Sequence, residues 1–417
     1  MLRRTFASLA FTLAVAGCAT APYAPRGGYY PPGGAPGQSL SSVAPPGRTV
    51  ALLAPLTGPN AARGEALVNA AKLALSLQGA PPLDVRDTGG TAQGAAAAAQ
   101  QALAAGAGLI IGPLTSQETA AVAGPARQAG VAVLAFTSDP AQAQPGVWVL
   151  GLTPYQQVRR LVASAAAQGK TRFAAVLPET EFGHAMAAAL GRATVAAGLA
   201  APDIRFHGTA MATINTTMRD ISGYASRRGP LDAQIRAARR ENTAAGRSRA
   251  AQLARAAIPP APFDALLLAD VGEQLSAVAS LLSYYDLDPP AVRVLGPALW
   301  ASPRARGGAA LNGAWYAAPD AAARSGYNAN YQAAYGSPAP GLSDFAYDAA
   351  AIANVLAKEG GYSVAALCRP EGFAGVDGVL ALQPDGTVHR GLALFEIQRG
   401  GAHLIEPAPD SVTGPGM

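Results

Sequence analysis

The stretch Gly108–Phe136, GLIIGPLTSQETAAVAGPARQAGVAVLAF, holds one complete strand–helix–strand unit. Gly108–Ile111 is an apolar run of strand length, and Val131–Phe136 is a second. Between them, Thr115-Ser116-Gln117-Glu118 has the spacing of a capping box: the Thr115 hydroxyl takes the backbone N–H three residues on, and Glu118 reaches back. The box predicts a helix that opens at Thr115 and runs to Ala129. Two short apolar strands joined by a single helix are the pattern of a parallel sheet with a crossover helix.

The same alternation extends in both directions. Upstream, Thr49–Ala54 reads as a buried strand, 61–77 as a helix, Leu83–Arg86 as a strand, and the alanine-rich run to Ala105 as a helix. Downstream come helix 154–168, strand Arg172–Leu177, helix Gly183–Ala197 and strand Ile204–His207. Strand Phe263–Ala269, helix Glu273–Tyr284 and strand Val292–Gly296 follow. The pattern ends with strand Trp315–Ala317, helices 322–335 and 344–358, and a pair of strands near 378–382 and 390–399 joined by the turn Gln383-Pro384-Asp385-Gly386. Two successive runs of one pattern predict an α/β protein of two similar lobes, each an open parallel sheet with helices on both faces. The chain of 417 residues is long enough for two lobes with separate cores.

Half of the residues are apolar and 6% are aromatic, so helices are expected to pack closely through alanine. The formal net charge is +5, and only Lys72, Lys170 and Lys358 among the 31 basic residues are lysines. The arginine skew fits a GC-rich coding sequence as readily as a selected surface.

Residues 1–17 carry Arg3 and Arg4, then an apolar run from Phe6 that is too short for a mature membrane span. The run ends Val15-Ala16-Gly17-Cys18, which resembles the bacterial lipobox. The resemblance implies cleavage before Cys18 and acylation of its thiol. With Ala19 following, it also implies an outer-membrane lipoprotein facing the periplasm, inner-membrane anchoring being the other option. Cys368 is then an unpaired thiol, expected to act as a small hydrophobe. Ala19–Gly47 is dominated by Pro and Gly, without apolar periodicity, and reads as a disordered tether.

The body resembles the type I periplasmic binding fold of the leucine/isoleucine/valine-binding family. The likeness is carried by VALLAPLTGPNAARGEALVNAAKLAL, by the opening unit quoted above, by LPETEFGHAMAAAL and by NYQAAYGSPAPGLSDFAYDAAAIANVLA, over roughly 48–405. Within that superfamily the lipobox, the tether, RDTGGT and LLSYYDLDP are most similar to the penicillin-binding-protein activator family, outer-membrane lipoproteins that stimulate peptidoglycan synthases. Enterobacterial members carry a helical-repeat domain where this chain has its tether. The implied organisation is a lipoprotein signal peptide (1–17), a lipidated Cys with a disordered tether (18–48), one lobe from 49–150 plus about 319–382, a second from 151–318 plus about 383–406 with an insertion at about 215–260, and a flexible tail (407–417).

Ligands of open parallel sheets sit beyond the carboxyl ends of the strands. The loops there offer Thr57, Asn60, Thr115, Ser116, Thr137, Ser138, Glu181, Phe182, Asp270 and Glu273. In amino-acid-binding relatives, hydroxyls and helix N-terminal amides hold a carboxylate and an acidic residue holds the ammonium. Thr115 and Ser116 lie at a helix N-terminus that favours an anion, although the plain reading of Thr115 is an N-cap. Thr137 and Ser138 match the neighbouring loop. Asp270, Glu273 or Glu181 offers the negative partner, and Phe182 a cleft wall.

From Asn215 to Pro260 there are nine Arg against Asp220, Asp232 and Glu241, on a spacing that suits one or two helices. Arg227, Arg228, Arg236, Arg239, Arg240, Arg247 and Arg249 are candidates for a contact surface, with a solvated hairpin as the plain reading. Enzyme signatures fail on context. Ser164–Thr171 resembles a phosphate loop without its first Gly and lies between a helix and a strand, the reverse of the required order. His184, His207, His389 and His403 have no metal-ligand spacing, and no G-x-S-x-G occurs. No cofactor, metal or nucleic-acid partner is expected. Two functions remain: a non-enzymatic activator of a peptidoglycan synthase, and the substrate-binding lipoprotein of an ABC importer for branched-chain or other amino acids.

Overall fold

Strand β1 (Thr49–Ala54) has Val50, Leu52 and Ala54 on one face and Ala51 and Leu53 on the other, all solvent-free. An apolar strand of this kind needs cover on both sides. The computed structural model, described for residues 47–302, 308–320 and 322–412, supplies it. Cys18 and the tether to residue 46 lie outside the described residues.

In the first lobe, β1, β2 (Leu83–Asp87), β3 (Ala107–Ile111), β4 (Ala132–Ala135) and β5 (Val147–Val149) form an all-parallel sheet in the order β2-β1-β3-β4-β5. Helices α1 (Ala61–Ala74), α2 (Ala92–Ala104) and α3 (Ser116–Gln128) are the crossovers. Val50, Leu52, Leu109 and Ile111 face α1, while Ala51, Leu53 and Ile110 face α2 and α3. On α2, Ala95, Ala98, Ala99 and Ala102 recur at i, i+3, i+4 and i+7 and are buried, so the helix presses its backbone close to the sheet.

The second lobe contains β6 (Phe173–Pro178), β7 (Asp203–His207), β8 (Ala265–Leu268), β9 (Arg293–Gly296) and β10 (Trp315–Ala318), all parallel. Helices α4 (Pro154–Ala167) and α5 (Glu181–Ala196) cover one face. Between β7 and β9 run α6 (Met211–Ile221), α7 (Tyr224–Arg240), α8 (Ala244–Ala254) and α9 (Gly272–Leu282). Helices α6 and α9 cover the opposite face. The basic segment is therefore helical, as its spacing predicts, with α6 entering it from residue 211.

Helices α10 (Ser325–Tyr335) and α11 (Ser343–Lys358) return to the first lobe, where Tyr327, Tyr331, Ile352 and Leu356 join its core. The end of the chain differs from expectation. β11 (Phe373–Gly375), β12 (Gly378–Leu382) and β13 (Val388–Arg390) form a separate antiparallel sheet. Residues 390–399, expected as one strand, divide: β13 pairs with β12, whereas β14 (Ala393–Gln398) adds antiparallel to β10, with β15 (Gly401–Glu406) outside it. The second sheet is thus mixed at one edge, in the order β15-β14-β10-β9-β8-β6-β7. Within the expected tail, the Pro407 carbonyl accepts from Arg160 at 3.3 Å and Pro409 is buried.

The chain crosses between lobes at 150–153, 319–324 and 391–392. Two glycines show how tightly strand ends feed helices in both lobes. A Cβ on Gly64 would lie 2.0 Å from the Pro55 carbonyl, and one on Gly183 would lie 2.0 Å from that of Pro178. No helix among the described residues is long and apolar enough to span a membrane.

Candidate functional site

A cavity of about 600 Å³ opens between the lobes, at the carboxyl ends of the strands. The first lobe contributes Leu114, Phe136, Thr137, Ser138, Leu342 and Phe345; the second contributes Leu152, Gln157, Phe182, Ala298 and Leu299, with Arg324 on the crossover. Of the ten candidates from the sequence, Thr137, Ser138 and Phe182 line it.

The others are engaged elsewhere. The Thr115 hydroxyl donates to Glu118 Oε2 at 2.7 Å and the Thr115 N–H to the same oxygen at 2.9 Å. Glu118 is solvent-free and takes a third hydrogen bond from the Thr88 hydroxyl on Oε1. The Ser116 hydroxyl donates to Asp139, which also accepts from Ala141 N at 3.0 Å and Gln142 Nε2 at 3.2 Å. Partial burial would raise the Asp139 pKa, but these hydrogen bonds outweigh it and hold the carboxyl below the usual range. The positive end of α3 is therefore served by the protein's own carboxylates.

Thr57 donates to Asp87 Oδ2 at 2.7 Å, and Asp87 Oδ1 accepts from Leu56 N and Gly89 N, each at 2.8 Å. This clamp joins the loops after β1 and β2. Asn60 accepts from exposed Arg63 at 3.0 Å. Glu181 and Glu273 lie in the exposed first turns of α5 and α9. Asp270 is 3% exposed, and its Oδ2 lies 3.3 Å from His207 Nε2. The other ring nitrogen, Nδ1, lies 2.9 Å from the Gly208 carbonyl. Burial alone would lower the His207 pKa; the Asp270 and Gly208 hydrogen bonds overcome it and raise it. Asp270 is thus a partner of a buried imidazole and does not line the cavity.

Sequence reasoning missed Gln157, Arg324 and the groups behind them. Gln157 Nε2 donates to the Thr153 carbonyl at 3.2 Å, and its Oε1 accepts from Ala298 N at 2.8 Å. It bridges the first crossover to the loop after β9. Two glutamines buried in the first turn of an apolar helix were the available signal. Arg324 pairs with Asp344 at 3.0 Å and with Asp377 at 3.5 Å. Behind it, Arg390 is fully buried 3.5 Å from Asp348 and 3.9 Å from Asp377, and its guanidinium stands 5.3 Å from the Phe345 ring centroid. Leu342 forms the N-cap of α11 at φ 71°, a strained backbone for a branched residue on the cavity wall.

In the basic insertion, Arg227 is buried and structural: its Nε donates to the Pro259 carbonyl at 2.7 Å and Nη1 to those of Ser222 and Tyr285 at 3.1 Å. Arg228 pairs with Asp232 at 2.9 Å and Arg249 with Glu241 at 2.6 Å. Arg236, Arg239, Arg240 and Arg247 are exposed. Cys368 is half-buried against the first core. Among the described residues no group of three or more His, Cys, Asp or Glu is placed to hold a metal ion.

No curated protein sequence matches this chain. Solved structures do. One described as a branched-chain amino acid ABC transporter from Rhodospirillum rubrum has TM-score 0.65 at 19% identity, over 86% of this chain and 99% of that one. Full-length LpoA from Haemophilus influenzae has TM-score 0.61 at 17% identity over 86% of this chain, which spans 59% of that longer protein. The LpoA C-domain from the same organism, described as a regulator of PBP1A, has TM-score 0.59 at 18% identity, covering 86% and 99%. At these identities the likeness speaks for the fold alone: two lobes of the kind traced above. The family profile described as periplasmic binding protein matches residues 48–402, nearly all of the described body, and the chain belongs to that family.

Proposed function

We propose that this chain is a non-enzymatic outer-membrane lipoprotein, acylated at Cys18, that activates a peptidoglycan synthase through contacts made by its surface. In this reading residues 1–17 are removed and 18–48 tether the two-lobed module to the membrane. One observation carries it: no carboxylate lines the interlobe cavity among the described residues. An α-amino acid brings an ammonium group, and burying that charge without a partner is costly. Asp270 is committed to His207, and the hydroxyls of Thr115 and Ser116, which would meet the ligand carboxylate, are committed to Glu118 and Asp139.

The volume of the cavity favours a second reading, an importer's substrate-binding protein, because about 600 Å³ is ample for a small solute. Thermal denaturation of the mature protein with leucine, isoleucine and valine separates the two. A ligand at 100 times its Kd adds about 2.7 kcal/mol to stability. The regulatory reading expects no displacement of Tm with any of the three, together with faster glycan polymerisation when the lipoprotein is added to a purified bifunctional synthase. A rise of several degrees with one amino acid, or a synthase indifferent to the lipoprotein, refutes it.

A further inference from the structure

Helix α7 carries Tyr224, Arg228, Asp232, Arg236 and Arg240 at successive i+4 positions, a row that winds about 40° round the helix at each step, so that Arg236 and Arg240 share an outer face while Tyr224 lies near the buried side of Ile235 and Ala238. Sixteen residues of rise make that row about 24 Å long, with a charged position about every 6 Å. Arg239 borders it, and Arg247 lies on the partner helix α8. Arg236, Arg239, Arg240 and Arg247 are exposed and have no carboxylate partner among the described residues, in contrast to Arg228 and Arg249. At its body end the row meets an aromatic step: Tyr284 is 63% exposed and stacks on Tyr224 at 5.9 Å and 29°, over buried Tyr285.

We propose that the exposed arginines of this hairpin, Arg236, Arg239, Arg240 and Arg247, are a docking surface for an acidic protein segment with carboxylates about one helical turn apart. The inference rests on the regulatory reading, for which it names the contact face. Three features favour a protein occupant. Arg236 and Arg240 stand about 6 Å apart along the helix, which matches the i, i+4 repeat of a helix or alternate residues of a strand. The planar guanidinium suits bidentate pairing with carboxylates, and Arg is among the residues that anchor interfaces. A lipid surface fits poorly, because no large exposed apolar side chain lies on α7 or α8 to enter it beside Tyr224.

The full-length lipoprotein in detergent is titrated with a labelled 20-residue helical peptide bearing Glu at i, i+4 positions and with its Gln counterpart. The variant Arg236→Gln/Arg239→Gln/Arg240→Gln is measured beside it. The Glu peptide is expected to bind with an affinity that falls as salt is raised, the Gln peptide not to bind, and the triple variant to lose at least about tenfold at unchanged Tm. Equal binding by wild type and triple variant overturns the proposal. So does binding of phosphatidylglycerol vesicles or soluble peptidoglycan fragments that is tighter than the peptide and lost in the same variant. Synthase stimulation that survives the triple substitution refutes this surface while leaving the regulatory reading intact. Peptide binding without any stimulation by wild type does the reverse.

Discussion

Arg390 donates from Nη2 to the carbonyl of Leu150 at 3.1 Å, joining the third interlobe crossover to the first. The same guanidinium lies beside Asp348 and Asp377, and Asp377 in turn meets Arg324 on the second crossover. One cluster of five ionisable groups, Arg324, Asp344, Asp348, Asp377 and Arg390, therefore ties all three connections to each other and to α11. A periplasmic binding fold that closes on a ligand bends at these connections. Here they are cross-braced by charges that are costly to separate.

Removing one member strands the others. Arg390→Met keeps the stem of the side chain but leaves Asp348 without its cation and Asp377 with Arg324 alone, and the expected loss is about 3–5 kcal/mol. Urea denaturation measures it. Adding Asp348→Asn and Asp377→Asn to the same chain is expected to return part of the loss, since no buried carboxylate then remains unpaired. A cost for Arg390→Met alone below about 1 kcal/mol would place the cluster in water and refute the brace.

The cluster also sets a pH dependence. Burial pushes Asp348 up to about 6 despite Arg390, and burial with neighbouring Asp344 holds Asp377 well above the usual carboxylate range. Both groups keep protons in the fold that the unfolded chain releases above about pH 4. Their contribution is thus complete below that pH and is lost as pH rises through the folded values, with a slope of at most about 1.4 kcal/mol per pH unit for each proton. His207, also raised, acts in the same direction above its ordinary value, whereas His389, lowered by burial and then Arg159, opposes it. Below pH 4 the lowered carboxylates Asp87 and Asp139 take over with the opposite sign. Stability measured from pH 5 to 9 is expected to fall in wild type and to fall less in Asp377→Asn; parallel curves would contradict the assignment.

At the start of α3 the two halves of the capping box are expected to differ in cost. Thr115→Ala removes a cap and should lose about 1 kcal/mol. Glu118→Ala leaves the Thr88 hydroxyl unsatisfied in a solvent-free site and the Thr115 N–H unsatisfied in a half-buried one, with an expected loss of about 3 kcal/mol. Chemical denaturation of both variants checks the ratio, and equal losses would mean that Glu118 acts only as a cap.

The capping box was legible because it is local: four residues fix it, and the strands on either side are apolar on both faces. The lobes were legible for the same reason, strand by strand. What escaped depends on distance in the chain. β13 and β14 are separated by two residues, and nothing within 388–399 says that one pairs with β12 and the next with β10. Arg324, Asp377 and Arg390 look like surface charges until the fold brings them together. Asp270 follows a strand at the cleft side, as a ligand acid would, and is taken by a histidine 63 residues upstream. Thr137, Ser138 and Phe182 line the cavity because they follow the carboxyl ends of parallel strands, which meet the cleft.

Arg227 shows the same gap between composition and role, and it separates a structural arginine from a docking one. The hairpin of α7 and α8 has a small core of its own, Ile235, Ala238 and Ala250 with Leu231 and Leu253 beside them. That is little apolar burial for two helices, so its attachment matters. Arg227 fastens the base by donating to three carbonyls, of Ser222, Pro259 and Tyr285, and each is left unsatisfied in Arg227→Met. The expected consequence is local opening of 224–254, read as faster tryptic cleavage after Arg236, Arg239, Arg240 and Arg247. The opening leaves both sheets in place, so the main unfolding transition moves less than for Arg390→Met. Arg236→Gln, by contrast, is expected to leave cleavage at the other arginines unchanged, because that side chain holds nothing in place. Equal protease sensitivity of Arg227→Met and wild type would show that the hairpin stands on its own core.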